Sequence, residues 1–492
     1  MPLQILSDNF AKPLLAIDRL EIGPVHLERN RLKMLYTVIK GARRTSIDLI
    51  YRYEEDVFDP DSLQSKNLAS MIGAQVALNY GLFCKEIVFL GPFDRHDRRF
   101  ITEMAEITAR EIYVKKFLEP NPFLRGKAAS LPAIRKDSYL GSKITFVNKD
   151  ITSDKTISDP EWESNQPRYA VLSSGGKDSL LSFGLLNELG EHVDPIYINE
   201  SGRHWYTALN AFSYFQHHFR RTARVWTNAD RLFNWMLRHL PFVRQDFARF
   251  RSDEYPIRLW TVAVFLFGAL PLMRKRGLNR MVIGDEYDTT RRIYHQGILH
   301  YDGLYDQSRY FDDAMSLYYK RKGWVIRQFS IIRQLSELMI EKILIERYPD
   351  LQRQQVSCHA THIERARVYP CGNCEKCRRI VGMLTALDAD PARCGYKRNQ
   401  IKRIMKDLVD TTLRQDAATS GHTLYLLSRK GLITAEKASR IKPHSQIMKL
   451  MIDKDKSPKD EIPDDLRDRL FAICLEHADG MAERQGKAWV ET

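Results

Sequence analysis

The chain has 492 residues, 43% of them hydrophobic, which is long enough for two or three domains and apolar enough to bury sizeable cores. Its longest apolar run, 259–273, is too short to cross a bilayer and contains Pro271, so it predicts a buried helix rather than a membrane span. Seventy-six Lys and Arg against 62 Asp and Glu leave a net charge of +14, which suits a nucleic-acid or acidic-protein partner as well as it suits a merely basic, solvated surface.

The N-terminal MPLQILSDNF lacks a basic start followed by an apolar stretch, and a cytoplasmic location is expected. Residues 1–150 read as a small α/β domain. Alternating polarity at 46–51 and the apolar run at 86–90 predict strands, and 68–82 and 100–117 are patterned as helices. The polar cluster Asp94, Arg95, His96 and Asp97 is read as a loop before it is read as a site. The stretch 149–167, rich in Asp, Ser and Thr, predicts a linker.

The next segment carries the strongest chemical signal. Tyr169, Ala170, Val171 and Leu172 form a short apolar run that predicts an interior strand. Leu180, Leu181, Leu185, Leu186 and Leu189 share one helical face, and Gly190 stands at the C-terminal cap position. Between strand and helix lie Ser174, Gly175, Gly176, Lys177, Asp178 and Ser179. Adjacent glycines let backbone N–H groups point into one concavity, and the helix start adds unpaired N–H groups and partial positive charge. This is a site for pyrophosphate, with Lys177 supplying charge, Ser174 and Ser179 hydroxyls, and Asp178 a magnesium contact or a helix cap. Neither the P-loop spacing nor that of the dinucleotide-binding motif is present.

Further along, Ile196, Tyr197 and Ile198 predict a strand ending at Asn199 and Glu200. Arginines gather at Arg220, Arg221 and Arg224, at Arg244, Arg249 and Arg251, at Arg291 and Arg292, and at Arg378 and Arg379. A strand through Met281, Val282 and Ile283 leads to Gly284 and then Asp285, Glu286 and Asp288. Four of the seven cysteines, Cys358, Cys371, Cys374 and Cys377, fall within twenty residues, a crowding that favours a closed structural zinc site over disulfides. His359 or His362 could replace one thiolate, Cys394 is within reach, and Cys84 and Cys474 carry no spacing signal. Beyond about 395 the chain turns lysine-rich and helical in pattern, with a charged, proline-interrupted connection at 454–465.

The Ser174–Ser179 hexapeptide resembles the SGGxDS signature of the PP-loop ATP pyrophosphatases, which split ATP between its α and β phosphates. Together with Cys371-Gly372-Asn373-Cys374-Glu375-Lys376-Cys377 it resembles the QueC family of 7-cyano-7-deazaguanine synthases, over roughly 169–387. That resemblance implies a Rossmann-like parallel sheet in a catalytic domain over 168–390, with a zinc motif, flanked by the α/β domain 1–150 and a basic helical extension 395–492. It implies ATP, Mg2+ and Zn2+ as cofactors and Lys177, Asp178 and Asp285 as catalytic residues, with Glu286 and Asp288 as further substrate or magnesium contacts and Asn199 and Glu200 near the base. The implied reaction is AMP-forming activation of a carboxylate like that of 7-carboxy-7-deazaguanine, followed by attack of a nitrogen nucleophile to give an amide or nitrile.

Departures accompany the likeness. In Tyr255-Pro256-Ile257-Arg258-Leu259, leucine stands where the family has asparagine, the Cys358 to Cys371 spacing is long, and the arginines after Cys377 are shifted. Lys177 is also familiar in PP-loop enzymes that thiolate tRNA, so sulfur transfer is an alternative, as is a non-catalytic nucleotide-binding scaffold. Long QueC-like proteins of this build resemble components of bacterial antiphage systems, which implies a defence role and a protein or nucleic-acid acceptor.

Overall fold

The computed structural model describes residues 12–147, 156–158, 162, 164, 166–250, 256–410, 413, 415–434 and 439–492. Most of the expected linker at 149–167, and Arg251 and Tyr255, lie outside the described residues. In chain order the elements begin with β1 (Ile17–Glu28), β2 (Arg31–Lys40), β3 (Arg43–Tyr53), α1 (Leu63–Ala74), β4 (Cys84–Leu90), α2 (Arg95–Ile112) and β5 (Lys143–Val147). They continue with β6 (Tyr169–Ser173), α3 (Lys177–Glu188), β7 (Val193–Asn199), α4 (Arg203–His218), β8 (Ala223–Thr227), α5 (Ala229–Leu237), α6 (Val262–Arg276) and β9 (Arg280–Val282). Next come β10 (Arg292–His295), β11 (Ile298–Tyr301), α7 (Arg309–Lys322), β12 (Arg327–Phe329), α8 (Glu337–Arg347) and α9 (Pro349–Gln352). The last third holds β13 (His362–Glu364), β14 (Arg367–Tyr369), α10 (Glu375–Ala386), α11 (Arg398–Asp410), α12 (Ala417–Arg429), β15 (Leu450–Ile452), the helix Asp464–Leu475, β16 (Met481–Gln485) and β17 (Ala488–Glu491).

The fold is mixed α/β, and the chain divides differently from the three consecutive domains expected at 1–150, 168–390 and 395–492. One compact unit combines Met1–Glu163, Val225–Gly277 and Arg291–Ile326, and the other combines Ser164–Arg224, Leu278–Thr290 and Arg327–Thr492. The segment expected as a single catalytic domain is therefore shared between two interleaved units. The 395–492 extension is not a separate domain, because Ile404, Leu408, Leu424, Leu450, Leu466 and Leu470 join the same buried core as Val171, Leu180 and Leu181. It is not wholly helical either, since it carries the three-stranded sheet β15-β16-β17.

In the first unit β1, β2 and β3 pair antiparallel, and β4 runs parallel to both β1 and β5. Here α6 takes up most of the apolar 259–273 run and is buried. Among the described residues no helix is long and apolar enough to cross a membrane. Asp94 caps α2 by accepting the N–H groups of His96 and Asp97 at 2.8 and 3.0 Å, and Asp97 accepts the Asp94 N–H in return at 2.9 Å. Lys322, fully buried, lies 2.5 Å from Asp94 and 3.2 Å from Asp97. This polar cluster is consumed in holding the fold.

In the second unit the strand order is β12-β9-β6-β7, with every pairing parallel. Tyr169, Ala170 and Val171 of β6 are almost fully buried, as a strand flanked on both sides by parallel neighbours requires. The chain runs outward from β6 to β7 in one direction and from β9 to β12 in the other. The order thus reverses between β6 and β9, and a crevice opens beyond the carboxyl ends of such strands, where ligands of open α/β sheets bind. The Ser174–Ser179 turn follows β6, and Gly284 to Asp288 follow β9.

Candidate active site

The turn after β6 has the conformation its glycines predict. Gly175 has φ +73°, and a Cβ there would lie 2.9 Å from the Ala208 Cα of α4, so only glycine fits. Gly176 is the N-cap of α3, and no side chain caps the helix. Ser174 stands exposed at the mouth, whereas Ser179 is buried and its hydroxyl bonds the Gly176 carbonyl at 3.2 Å. Across the strand-order reversal, Gly284 lets the two turns touch, since a Cβ there would approach the Asp178 carbonyl carbon to 2.8 Å.

Lys177 is the centre of the site. Its side chain is 4% exposed, and its Nζ lies 2.6 Å from Asp178 Oδ1, 2.7 Å from Glu286 Oε2 and 3.4 Å from Glu337 Oε1. Arg379 Nε meets that same Glu337 oxygen at 3.0 Å, and Gln415 donates to the other at 2.8 Å. Burial opposes the charge on Lys177, but Asp178, Glu286 and Glu337 hold its pKa well above the ordinary value. Burial likewise opposes ionisation of Glu337, yet Arg379 and then Lys177 keep it below the usual range. Glu286 is raised well above that range, by burial first. Asp288 is pushed up to about 7 by burial and by Glu337 and Asp416.

Four carboxyl groups thus gather around two cations, and burial pushes two of them, Glu286 and Asp288, towards their protonated forms. Among the described residues only the four cysteines bring three or more donor atoms within 4.8 Å of one another, so the carboxylates form no preassembled ion cage.

Asp288 supplies a pH prediction. Its folded pKa of about 7 exceeds its ordinary 3.8, so stability associated with its protonated form is complete below about pH 4 and is lost as pH rises through 7. Asp288→Asn is expected to flatten the fall in urea midpoint between pH 5 and pH 8 relative to the parent protein. An unchanged slope would remove Asp288 from the electrostatics of the site.

The structure separates the remaining sequence candidates. Glu286, not Asp285, faces Lys177. Asp285 is fully buried with its carboxylate 3.6 Å from the buried Arg333, which also holds Glu461 at 2.6 Å. The segment expected as a connection at 454–465 therefore contributes a buried ion pair. Glu200 accepts the Trp205 N–H at 3.1 Å, and Asn199 accepts the Ser201 N–H at 3.0 Å, so both order the entry to α4. Arg258 pairs with Asp230 at 2.9 Å, and the Leu259 N–H bonds Asn79 at 3.0 Å, all within the first unit.

Glu337 and Gln415 were missed by sequence reasoning. Ser336 caps α8 through the Met339 N–H, a visible helix-start signal that says where Glu337 begins but not what it faces. The C-terminal region also reaches this site. Tyr287, between Glu286 and Asp288, donates its hydroxyl to Asp453 at 3.2 Å and packs edge-on to Trp489 at 5.6 Å.

Cys358, Cys371, Cys374 and Cys377 converge as expected, with sulfur separations of 3.8 Å for Cys371 to Cys377, 3.9 Å for Cys358 to Cys374 and 3.4 Å for Cys374 to Cys377. A tetrahedron with Zn–S bonds of about 2.3 Å has edges of about 3.8 Å, so the set fits a zinc ion. The N–H groups of Cys371 and Ala360 point at the Cys358 sulfur at 3.1 and 3.3 Å, which favours thiolates. His359 and His362 are not in the set, and His362 pairs with Glu364 at 3.2 Å. Cys394 is buried against Gln352, whose side-chain nitrogen lies 3.0 Å from its sulfur.

The arginine clusters divide between the two units, and members of each have internal partners. Arg221 lies 3.7 Å from Asp194, Arg244 binds Asp246 at 2.7 Å, Arg291 lies 3.6 Å from Asp302, and Arg378 donates to the Asn373 carbonyl at 3.1 Å. No protein-family model matches the chain, and comparison with curated proteins finds no match.

Proposed function

We propose that the second unit is a Rossmann-like, AMP-forming ATP pyrophosphatase of the PP-loop kind, QueC-like, that activates a carboxylate and passes it to a nitrogen nucleophile. One observation carries this reading: Lys177 heads an uncapped helix at the strand-order reversal and is held by carboxylates from three separate segments. The Gly175-Gly176 turn and the first N–H groups of α3 suit the phosphates of ATP. Asp178, Glu286 and Asp288 are the carboxyl groups that would offer oxygens to a magnesium ion, which would supply charge neutralisation for the phosphates. When ATP binds, Lys177 exchanges carboxylate oxygens for phosphate oxygens.

The substrate carboxylate attacks the α-phosphorus, the bond to the oxygen bridging to the β-phosphorus breaks, and pyrophosphate leaves. Lys177 and the helix N–H groups stabilise the charge growing on that leaving group. The nitrogen nucleophile then attacks the acyl carbon, AMP departs and a proton goes to solvent. The 7-carboxy-7-deazaguanine carboxylate with ammonia is the simplest pairing, and a second activation would convert the amide to a nitrile. The additional first unit and the +14 charge favour a protein or nucleic-acid amine as acceptor, in keeping with an antiphage role.

Sulfur transfer is disfavoured on chemical grounds. Cys84, Cys394 and Cys474 are all buried, and burial pushes each thiol up, Cys474 to about 12, so none offers an accessible thiolate.

The test incubates the protein with ATP, magnesium and 7-carboxy-7-deazaguanine, with and without ammonia. Carboxylate-dependent release of AMP and pyrophosphate above an Asp178→Ala control is expected. No release above that control would reject this substrate, and an Asp178→Ala protein that keeps full biological activity without ATP turnover would instead identify a scaffold.

A further inference from the structure

We propose that the four-cysteine knuckle positions the ATP site by fixing Arg379, which acts on Lys177 through Glu337. The inference rests on the ATP-binding reading given above and assigns to the metal site a role beyond holding its own loop. Cys374 is the N-cap of α10, and Cys377, fully buried, lies in its first turn. Arg379 is two residues further on, about 200° around the helix axis, so it projects away from the sulfurs. Its Nε meets Glu337 Oε1 at 3.0 Å, the oxygen that Lys177 Nζ meets at 3.4 Å. A single carboxylate oxygen is therefore shared between the helix that begins in the knuckle and the lysine of the phosphate turn.

The knuckle's hold on α10 is specific. No side chain caps the helix, and the loop before it turns through Gly372 at φ +68°. A bound metal would tie this start to Cys358, sixteen residues upstream of Cys374. Otherwise Gln400 and Arg403 of α11 and Arg378 of α10 hold the loop by hydrogen bonds to the Cys371, Gly372 and Asn373 carbonyls, at 3.1, 3.0 and 3.1 Å. Unstapled helix ends fray within their first turn, here 375–378, and Arg379 follows that turn directly. With Arg379 withdrawn, Lys177 is the cationic neighbour left to Glu337 among the described residues, and Glu337 holds it more tightly, away from phosphate.

The relay predicts non-additive losses. Binding of a fluorescent N-methylanthraniloyl ATP with magnesium would be measured for full-length zinc-loaded protein, for chelator-stripped protein, and for Arg379→Gln in both states. Stripping the metal and replacing Arg379 should each weaken binding about ten-fold. In combination they should give little more than either alone, rather than the about 100-fold of independent effects. Arg379→Lys, which keeps the charge, should recover part of the affinity, a rescue that a packing role would not produce.

Multiplying losses, or a stripped protein with unaltered affinity, would overturn the proposal. Hydrogen exchange provides an arm that needs neither ATP nor metal removal. Zinc-loaded Arg379→Gln should exchange faster than the parent at 174–179 and 336–340 and equally at 450–452, and unchanged exchange at 174–179 would also overturn it. Zinc-loaded parent protein that binds no magnesium-ATP would refute the ATP-binding reading, whereas the exchange result would still decide whether the relay exists.

Discussion

Replacing Lys177 with methionine is expected to cut the proposed ATP cleavage by on the order of 100- to 1,000-fold and to destabilise the protein, with the second effect depending on pH. The catalytic loss follows from removing the buried cation of the Ser174–Ser179 turn, and on the order of 100- to 1,000-fold is the usual cost of losing one preorganised charge-stabilising donor. The stability loss follows from what remains. Asp178, Glu286 and Glu337 surround a side chain only 4% exposed, and removing a buried partner typically costs about 3–5 kcal/mol because the opposing charge is left uncompensated. The sign with pH is fixed by the carboxylates. Without Lys177, Glu286 and Glu337 lose a cation that favours their ionised forms, so the variant is least stable where these carboxyls are ionised and recovers as they take up protons on acidification. Urea unfolding at pH 8 and pH 5 measures this, with a deficit that shrinks at pH 5. A deficit equal at both pH values would mean that the loss is one of packing and not of charge.

The second large effect is expected from Cys377→Ser. Cys377 is fully buried, lies 3.4 Å from Cys374 and 3.8 Å from Cys371, and its helix packs into the same core as Val171 and Leu180. Loss of one thiolate should reduce bound zinc from one per chain to a small fraction and cost about 4 kcal/mol, the upper range for single substitutions, where metal loss belongs. For a domain of this size that corresponds to a fall in melting temperature of about 10 °C. Elemental analysis and thermal unfolding check both numbers. Cys394→Ala should keep the metal, because Cys394 contacts Gln352 outside the sulfur cluster. Equal metal loss in the two variants would contradict the four-cysteine assignment.

What the sequence disclosed and what it concealed follow a physical division. The strand, turn and helix from Tyr169 to Gly190 were legible because hydrophobic period, paired glycines and a C-terminal glycine are local signals. The cysteines were legible because ligands two residues apart must converge. Glu337 was not, since a glutamate at the start of a capped helix is ordinary until β6, β9 and α8 are packed together. Asp285 and Glu286 could not be ranked from their order alone, for adjacent side chains after a strand point to different surroundings, and here one met Arg333 and the other Lys177. The domain boundaries misled for a related reason. Composition changes along the chain, whereas the two units are assembled from segments distant in sequence.

On the proposed function, ATP is split between its α and β phosphates at the Ser174–Ser179 turn. The most direct measurement is the identity of the products formed from ATP labelled in its α-phosphate and, separately, in its γ-phosphate, in the presence of magnesium and 7-carboxy-7-deazaguanine. Label is expected in AMP from the first and in pyrophosphate from the second, in equal amounts and absent from Lys177→Met protein. Label appearing in ADP and inorganic phosphate, or turnover that survives Lys177→Met, would contradict it.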